Sequence, residues 1–266
     1  MILASEPPPT VLAAFGLVGS PVRLLGGQGL SWRVGDVVLK PRVNPEFQEW
    51  LGTEVAAIQQ QGFRLPAVRR GVNGAWVVEG WAAQSVVPGS TAKGGVACWR
   101  AIIGAARDLH AATAAVARPA FLDLRTDPWA LADRAVWGEA PREILPELLG
   151  VVQRLDAVLS PLGPAQVVHG DLTSNVLLVR GGPSSIIDFS PYWRAPSYAE
   201  GIVIADALCW HAATPRILKE ADVPVTAVAR GLLFRVLTAS RVHQQHSAEL
   251  RRQAQRYQSV VAALDL

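Results

Sequence analysis

The chain has 266 residues, enough for one large domain or two modest ones with real cores. Half of the residues are apolar and 18% are charged, which excludes a disordered chain. The formal net charge of +3 is spread along the sequence without a run of Lys or Arg, so no nucleic-acid partner is expected. Cys98 and Cys209 sit in apolar helical contexts without metal-ligand spacing and read as core thiols of a reducing compartment. The start lacks a basic n-region and is interrupted by Pro7-Pro8-Pro9, and no apolar run of 18 residues is free of charge. The expectation is a soluble, cytoplasmic protein with no membrane partner.

In chain order, residues 10–15 predict a short helix and residues 22–25 a strand. A glycine loop follows, Gly26-Gly27-Gln28-Gly29-Leu30-Ser31-Trp32. After a Gly35-Asp36 turn comes a second strand, Val37-Val38-Leu39-Lys40. Glycines let backbone N–H groups approach phosphate oxygens, and a Lys at an apolar strand end supplies a fixed positive charge. Residues 45–61 carry Trp50, Leu51, Val55 and Ile58 at helical spacing, with Gly62 as the stop. Glu46, Glu49 and Glu54 lie on that helix. Residues 68–72 and 75–87 read as a hairpin turned at Asn73-Gly74, and Pro88-Gly89 ends it. Trp76 and Trp81 read as core or cleft packing.

Helices dominate from Thr91 onward, over residues 96–116, 128–138 and 141–160. His110, on the first of these, reads as a packed structural residue. Then Val176–Val179 and Ser185–Ile187 form two apolar strands joined at Gly181-Gly182, a hairpin signal. A hairpin returns the chain to its start, so Asp171, Asn175 and Asp188 are expected to converge at one end. Two carboxylates and an amide there suit a divalent metal and a hydroxyl that must lose a proton. Residues 190–196 read as an ordered loop, and helices over 198–213, 225–244 and 247–264 finish the chain.

His169-Gly170-Asp171-Leu172 with Asn175, followed by Ile187-Asp188-Phe189, resembles the catalytic loop and metal-binding Asp of kinases. The H-G-D form is similar to the aminoglycoside phosphotransferase and choline-kinase-like family, and the run through Ser190-Pro191-Tyr192-Trp193-Arg194 resembles an actinobacterial subgroup of it. The resemblance implies a base role for Asp171, Mg²⁺ ligation by Asn175 and Asp188, and a structural His169. It implies ATP contacts from Gly27, Gly29, Ser31 and Lys40, and hinge positions at Val86 and Val87 that bind adenine through their backbone. The kinase pattern also wants a Glu to pair with Lys40; Glu54, fourteen residues on, matches best. Asp206 is expected to hydrogen-bond the catalytic-loop backbone. Two departures stand out: Asn175 lies four residues after Asp171 where the pattern has five, and Ser190 replaces the Gly of D-F-G.

The expected fold is α+β, a two-lobed kinase-like architecture with a small antiparallel-sheet lobe at 1–87 and a larger helical lobe at 88–266. The expected function is transfer of phosphate from ATP, with Mg²⁺, to a hydroxyl of a small molecule. Tyr192, Trp193 and Arg194 are the nearest candidates for the acceptor pocket, with Trp129, Asp133 and Trp137 behind them. Aromatic walls with few charges suit a sugar-like or cyclitol ring more than a polycationic aminoglycoside. Trp129 and Trp137 fit core packing equally well. A nucleotide-holding pseudokinase and a nucleotidyl transferase remain as alternatives; oligomeric state is not legible.

Overall fold

The computed structural model describes residues 6–24, 29–92, 94–243 and 245–266. The first element is α1 (Pro9–Ala14), with Pro at its first turn, where no intrahelical N–H is needed. It covers a small sheet of β1 (Val22–Arg23), β2 (Trp32–Val34) and β3 (Val37–Pro41). Val37 and Leu39 alternate into a core with Val11, Val34, Trp81 and Ala83. Lys40 therefore lies on the opposite face of β3, toward the cleft. Next come α2 (Pro45–Trp50), capped by the Asn44 side chain, and a π-turn, Leu51–Val55, that ends the helix short of the expected residue 61.

Strands β4 (Phe63–Arg64), β5 (Val68–Arg69), β6 (Val77–Val78) and β7 (Trp81–Ser85) follow. The sheet order is β1-β2-β3-β7-β5, antiparallel throughout, with β6 also on β7. The tight turn of this ladder is Glu79-Gly80, not Asn73-Gly74. Both turn residues have positive φ, 49° and 78°, as a two-residue hairpin of this hand requires. Asn73-Gly74 turns a connecting loop instead, where the Gly74 amide bonds the Gly71 carbonyl at 2.8 Å.

The helical lobe begins with β8 (Ser90–Thr91) and α3 (Val96–Thr113) and continues through α4 (Phe121–Leu124), α5 (Pro128–Val136) and α6 (Leu149–Asp156). Strands β9 (Gln166–His169), β10 (Val176–Leu178), β11 (Ser184–Ile186) and β12 (Pro191–Arg194) carry the catalytic segment. The expected hairpin is β10–β11, with Val176 opposite Ile186. Residues 190–196, expected as a loop, supply β12, which pairs with β9 and places Pro191 opposite His169. β8 adds to β10, and β4 adds in parallel to β11, so one strand of residues 1–87 is hydrogen-bonded to the larger lobe.

Helices α7 (Pro196–Trp210), α8 (Arg216–Ala221), α9 (Val225–Val242) and α10 (Ala248–Ala263) complete the lobe. α8 was not expected from the sequence. α7 is buried almost all round and is the axis of the core. It crosses α9 backbone to backbone: a Cβ on Gly231 would lie 2.6 Å from the Gly201 carbonyl carbon, and one on Gly201 would run into the Ala227 carbonyl. The α9 residues Leu232 and Leu233 are fully buried, each burial contributing about 1.5–3 kcal/mol. Trp50, Phe121 and Phe189 join the two lobes edge to face at 5.6–5.7 Å.

Candidate active site

His169 is the joint of the site. Its Nδ1 accepts the Asp171 amide at 3.1 Å and the Ser190 amide at 3.4 Å, while its Nε2 donates to the Ile187 carbonyl at 3.1 Å. One ring nitrogen accepts and the other donates, so the partners fix a neutral tautomer. Burial pushes this imidazole down to about 4. His110, on α3, accepts the His169 amide at 3.1 Å, and burial lowers it to about 3. Both histidines therefore hold backbone; neither faces a reacting group.

The short loop closes as a tight turn. The Asn175 and Val176 amides both reach the Leu172 carbonyl, at 3.0 and 3.1 Å. The turn returns the Asn175 side chain to Asp171, where its Nδ2 donates to the main-chain oxygen at 2.6 Å and to Oδ2 at 3.1 Å. Both of those partners can only accept, so the amide orientation is fixed and Oδ1 is left as an open acceptor. The Ile187 amide donates to the Asn175 carbonyl at 2.9 Å, which sets Asp188 at the same mouth. Asp171, Asn175 and Asp188 thus converge as the hairpin requires.

Asp188 has φ +52°, a left-handed conformation that Asp tolerates better than most residues. Its carboxylate meets the Lys40 ammonium across the cleft. Burial lowers Lys40 to about 8. At that value the ammonium still persists at neutral pH. The expected Lys40–Glu54 pair does not form. Val55 takes the buried position of the π-turn, which leaves the neighbouring Glu54 exposed.

In the loop before β2, the Gly29 carbonyl accepts from Arg23 Nε at 2.8 Å, and the Ser31 carbonyl accepts the Leu24 amide at 2.9 Å, extending the β1–β2 ladder. Gly27 lies outside the described residues. At the expected hinge, the Val86 amide is already bonded to the Asp36 carbonyl at 2.7 Å. The Val87 amide has no partner among the described residues.

Two arginines that sequence reading passed over complete the site. Arg235, on α9, donates through Nε to Asp206 Oδ1 at 2.8 Å and through Nη2 to Asp206 Oδ2 at 2.6 Å. The same Nη2 reaches Asp171 Oδ1 at 3.3 Å. Asp206 also accepts the Thr173 hydroxyl at 2.7 Å, so its bond to the catalytic loop goes to a side chain and not to the expected backbone. Arg125 donates to Asp127 at 2.9 and 3.2 Å and to the Pro191 carbonyl at 3.0 Å.

Asp171 opens on a chamber of about 220 Å³ lined by Arg125, Trp129, Tyr192, Phe234 and Arg235, with Gly170 and Ser190 at the loop side. Tyr192 and Trp129 stand there, as the sequence suggested for an acceptor wall. Trp193 and Arg194 do not; they border a neighbouring chamber with Arg118 and Glu139. Arg194 is bound to Asp133 at 2.7–3.2 Å and to Glu139 at 2.7 Å, which fixes it and the buried Asp133 as structural ions. Trp137 lies under Arg194 and Arg230 and packs on Tyr198.

Residues 39–209 match the model of the phosphotransferase enzyme family known as APH. The chain belongs to this family. The match runs from β3 through α7 and includes Lys40, Asp171, Asn175 and Asp188. As a phosphotransferase of the kinase-like fold, the chain is a small-molecule kinase. A search of curated proteins found no match. Among solved structures, it is similar to a choline/ethanolamine kinase family protein from Mesorhizobium loti, at 17% identity and TM-score 0.60 over 97% of this chain and 92% of that one. It is also similar to a thermostable mutant of aminoglycoside phosphotransferase APH(4)-Ia, at 15% identity and TM-score 0.57 over 94% and 97%. A third likeness is to spectinomycin phosphotransferase APH(9)-Ia in complex with ADP and spectinomycin, at 12% identity and TM-score 0.57 over 96% and 95%. These likenesses show the two-lobed α+β fold.

Proposed function

We propose that the protein transfers the terminal phosphoryl group of ATP, with Mg²⁺, to a hydroxyl of a small metabolite, sugar-like or cyclitol in shape. The observation that carries this reading is the convergence of Asp171, Asn175 and Asp188 opposite Lys40. The donor set fits Mg²⁺: one carboxylate from Asp188 and the open amide oxygen of Asn175 are hard oxygen ligands. Such a set leaves room for phosphate oxygens and water, and among the described residues no three of His, Cys, Asp and Glu form an all-protein cage. Mg²⁺ bound there would neutralise charge on the nucleotide phosphates.

The chain's own residues do the rest. Lys40 is held ready by Asp188 to pair with phosphate oxygens. Val87 offers an amide to the adenine edge, and Gly29 and Ser31 border the phosphate side. Asp171 takes the proton of the acceptor hydroxyl as its oxygen bonds to phosphorus and ADP leaves. Arg235 and Asn175 each hold one carboxylate oxygen, so the base is oriented before the acceptor arrives. Trp129 and Tyr192 offer aromatic faces to a ring. Residues 1–87 and 88–266 serve as the two lobes, hinged at Val86–Val87. The free thiols of Cys98 and Cys209 suit a reducing compartment, and among the described residues no helix is long and apolar enough to cross a membrane.

Binding of Mg·ATP tests the nucleotide site. At a hundredfold excess over Kd the fold should gain about 2.7 kcal/mol, a Tm rise of roughly 5–10 °C for a chain of this size. No shift with any nucleotide at millimolar Mg²⁺ contradicts the reading. The product mass then names the reaction: a gain of one phosphate supports it, and a gain of AMP reassigns the site to nucleotidyl transfer.

A further inference from the structure

The chamber at Asp171 is lined by two cationic donors, Arg125 and Arg235, against one carboxylate. A guanidinium has five N–H donors. Arg125 commits three of them, two to Asp127 and one to the Pro191 carbonyl. Arg235 also commits three, all through Nε and Nη2, and its Nη1 has no partner among the described residues. Each arginine thus keeps two N–H groups without a partner among the described residues, and both residues line the chamber, Arg125 bordering two neighbouring ones as well. Both guanidiniums are held rigid by their carboxylate partners, so little side-chain freedom is lost when they bind a ligand. Among the described residues the only carboxylate lining the chamber is Asp171, already committed to Asn175 and Arg235. An ammonium entering here would find no carboxylate except the base itself, and otherwise only the neutral Ser190 and Tyr192 hydroxyls. A group with several acceptor oxygens and no donors would satisfy both arginines.

We propose that the acceptor carries an oxyanion, a carboxylate or a phosphate monoester, which Arg125 and Arg235 bind beside Asp171 while Trp129 and Tyr192 cover its ring. The proposal deepens the phosphotransferase reading and rests on it for the hydroxyl. It separates the site from one built for a polycation, and it assigns Arg125 as the residue that sets specificity. Arg235 has the second task of orienting Asp171. Carboxylate and phosphate use the same four N–H groups, and the matched probes distinguish them.

The experiment uses probes matched in ring and size. D-Glucuronate and D-glucose 6-phosphate are compared with D-glucose and D-glucosamine, and inositol 1-phosphate with myo-inositol. Each is tested for Tm shift on the full chain loaded with Mg·AMP-PNP, and for kcat/KM by ADP release with Mg·ATP. The anionic member of each set should be preferred by about tenfold or more, the worth of a charge-assisted hydrogen bond. Glucuronate against glucose 6-phosphate distinguishes the two oxyanions. Arg125→Gln should bring anionic and neutral members to near parity. Arg125→Lys, which keeps the charge and guards against a folding artefact, should restore part of the preference. Equal response to charged and neutral members, including no response to either, overturns the proposal, as does preference for the amino sugar. Anions that bind without receiving phosphate would leave the oxyanion site standing and sink the phosphotransferase reading.

Discussion

Asp171 and Asp188 carry the same charge and lie at the same mouth, yet their partners separate their tasks. Asp171 meets Arg235 and Asn175, and Asp188 meets Lys40; in the proposed reaction the first stands on the acceptor side and the second on the nucleotide side. Asp171→Asn should keep Mg·ATP affinity within about threefold while slowing transfer by roughly 10²–10⁴, the usual worth of a positioned base. Asp188→Ala should instead abolish Mg²⁺-dependent nucleotide binding. Titration calorimetry beside single-turnover rates checks the pair, and equal loss of nucleotide in both variants would refute the division. Gly170 belongs to the same scale. A Cβ there would sit 2.5 Å from the Tyr192 ring, so the middle residue of H-G-D is set by the aromatic wall of the chamber at Asp171.

Arg235 reaches Asp171 only because α7 and α9 cross with their backbones in contact. The crossing falls at Gly201 and Gly231; about one turn further along each helix lie Asp206 and Arg235, which meet through two hydrogen bonds of 2.6 and 2.8 Å. From Asp206 the contact continues to Thr173 in the catalytic loop. Two packed helices thereby set the angle of a carboxylate in a loop distant in sequence. Gly231→Ala forces apart two backbones that cannot yield like a side chain. It should cost about 1–3 kcal/mol or more and lower kcat more than it raises nucleotide Kd. Urea denaturation and steady-state kinetics measure both. A stable variant with unaltered kcat would show that the crossing does not position the base.

The whole molecule carries two buried neutral imidazoles at the junction of α3, β9 and the catalytic loop. Burial lowers His110 to about 3 and His169 to about 4, whereas an unfolded His titrates near 6.5. Below about pH 6.5 the unfolded chain takes up protons that the folded chain refuses, so stability falls as pH falls, down to the folded pKa values. Above that pH neither imidazole contributes a slope. Each adds up to about 1.4 kcal/mol per pH unit inside the window. His110→Gln keeps an acceptor for the His169 amide and removes one titration. Its urea-unfolding free energy should decline less steeply between pH 6.5 and 4.5 than that of the parent. Identical slopes would show that His110 is not held neutral by the fold.

The two-lobed plan was legible in the sequence through its resemblance to kinases, because the motifs that carry the resemblance are local. Glycines and Lys40 around β3, the H-G-D loop with Asn175, and Asp188 at an apolar strand end all lie within short windows. A hairpin between β-branched runs obliges its ends to meet, so the meeting of Asp171, Asn175 and Asp188 followed from backbone geometry. Other features depend on contacts between residues far apart in the chain. Arg235 lies 64 residues from Asp171, and no spacing rule links them until two helices have packed. Glu54 matched a spacing, but a π-turn rotated it into solvent and gave Lys40 to Asp188 instead. Arg194 read as a candidate for the acceptor pocket, but Asp133 and Glu139, more than fifty residues earlier, close on it. Residue type and local period fix what chemistry a segment can offer; which charges stay open to a ligand is settled by the partners that packing brings from elsewhere in the chain.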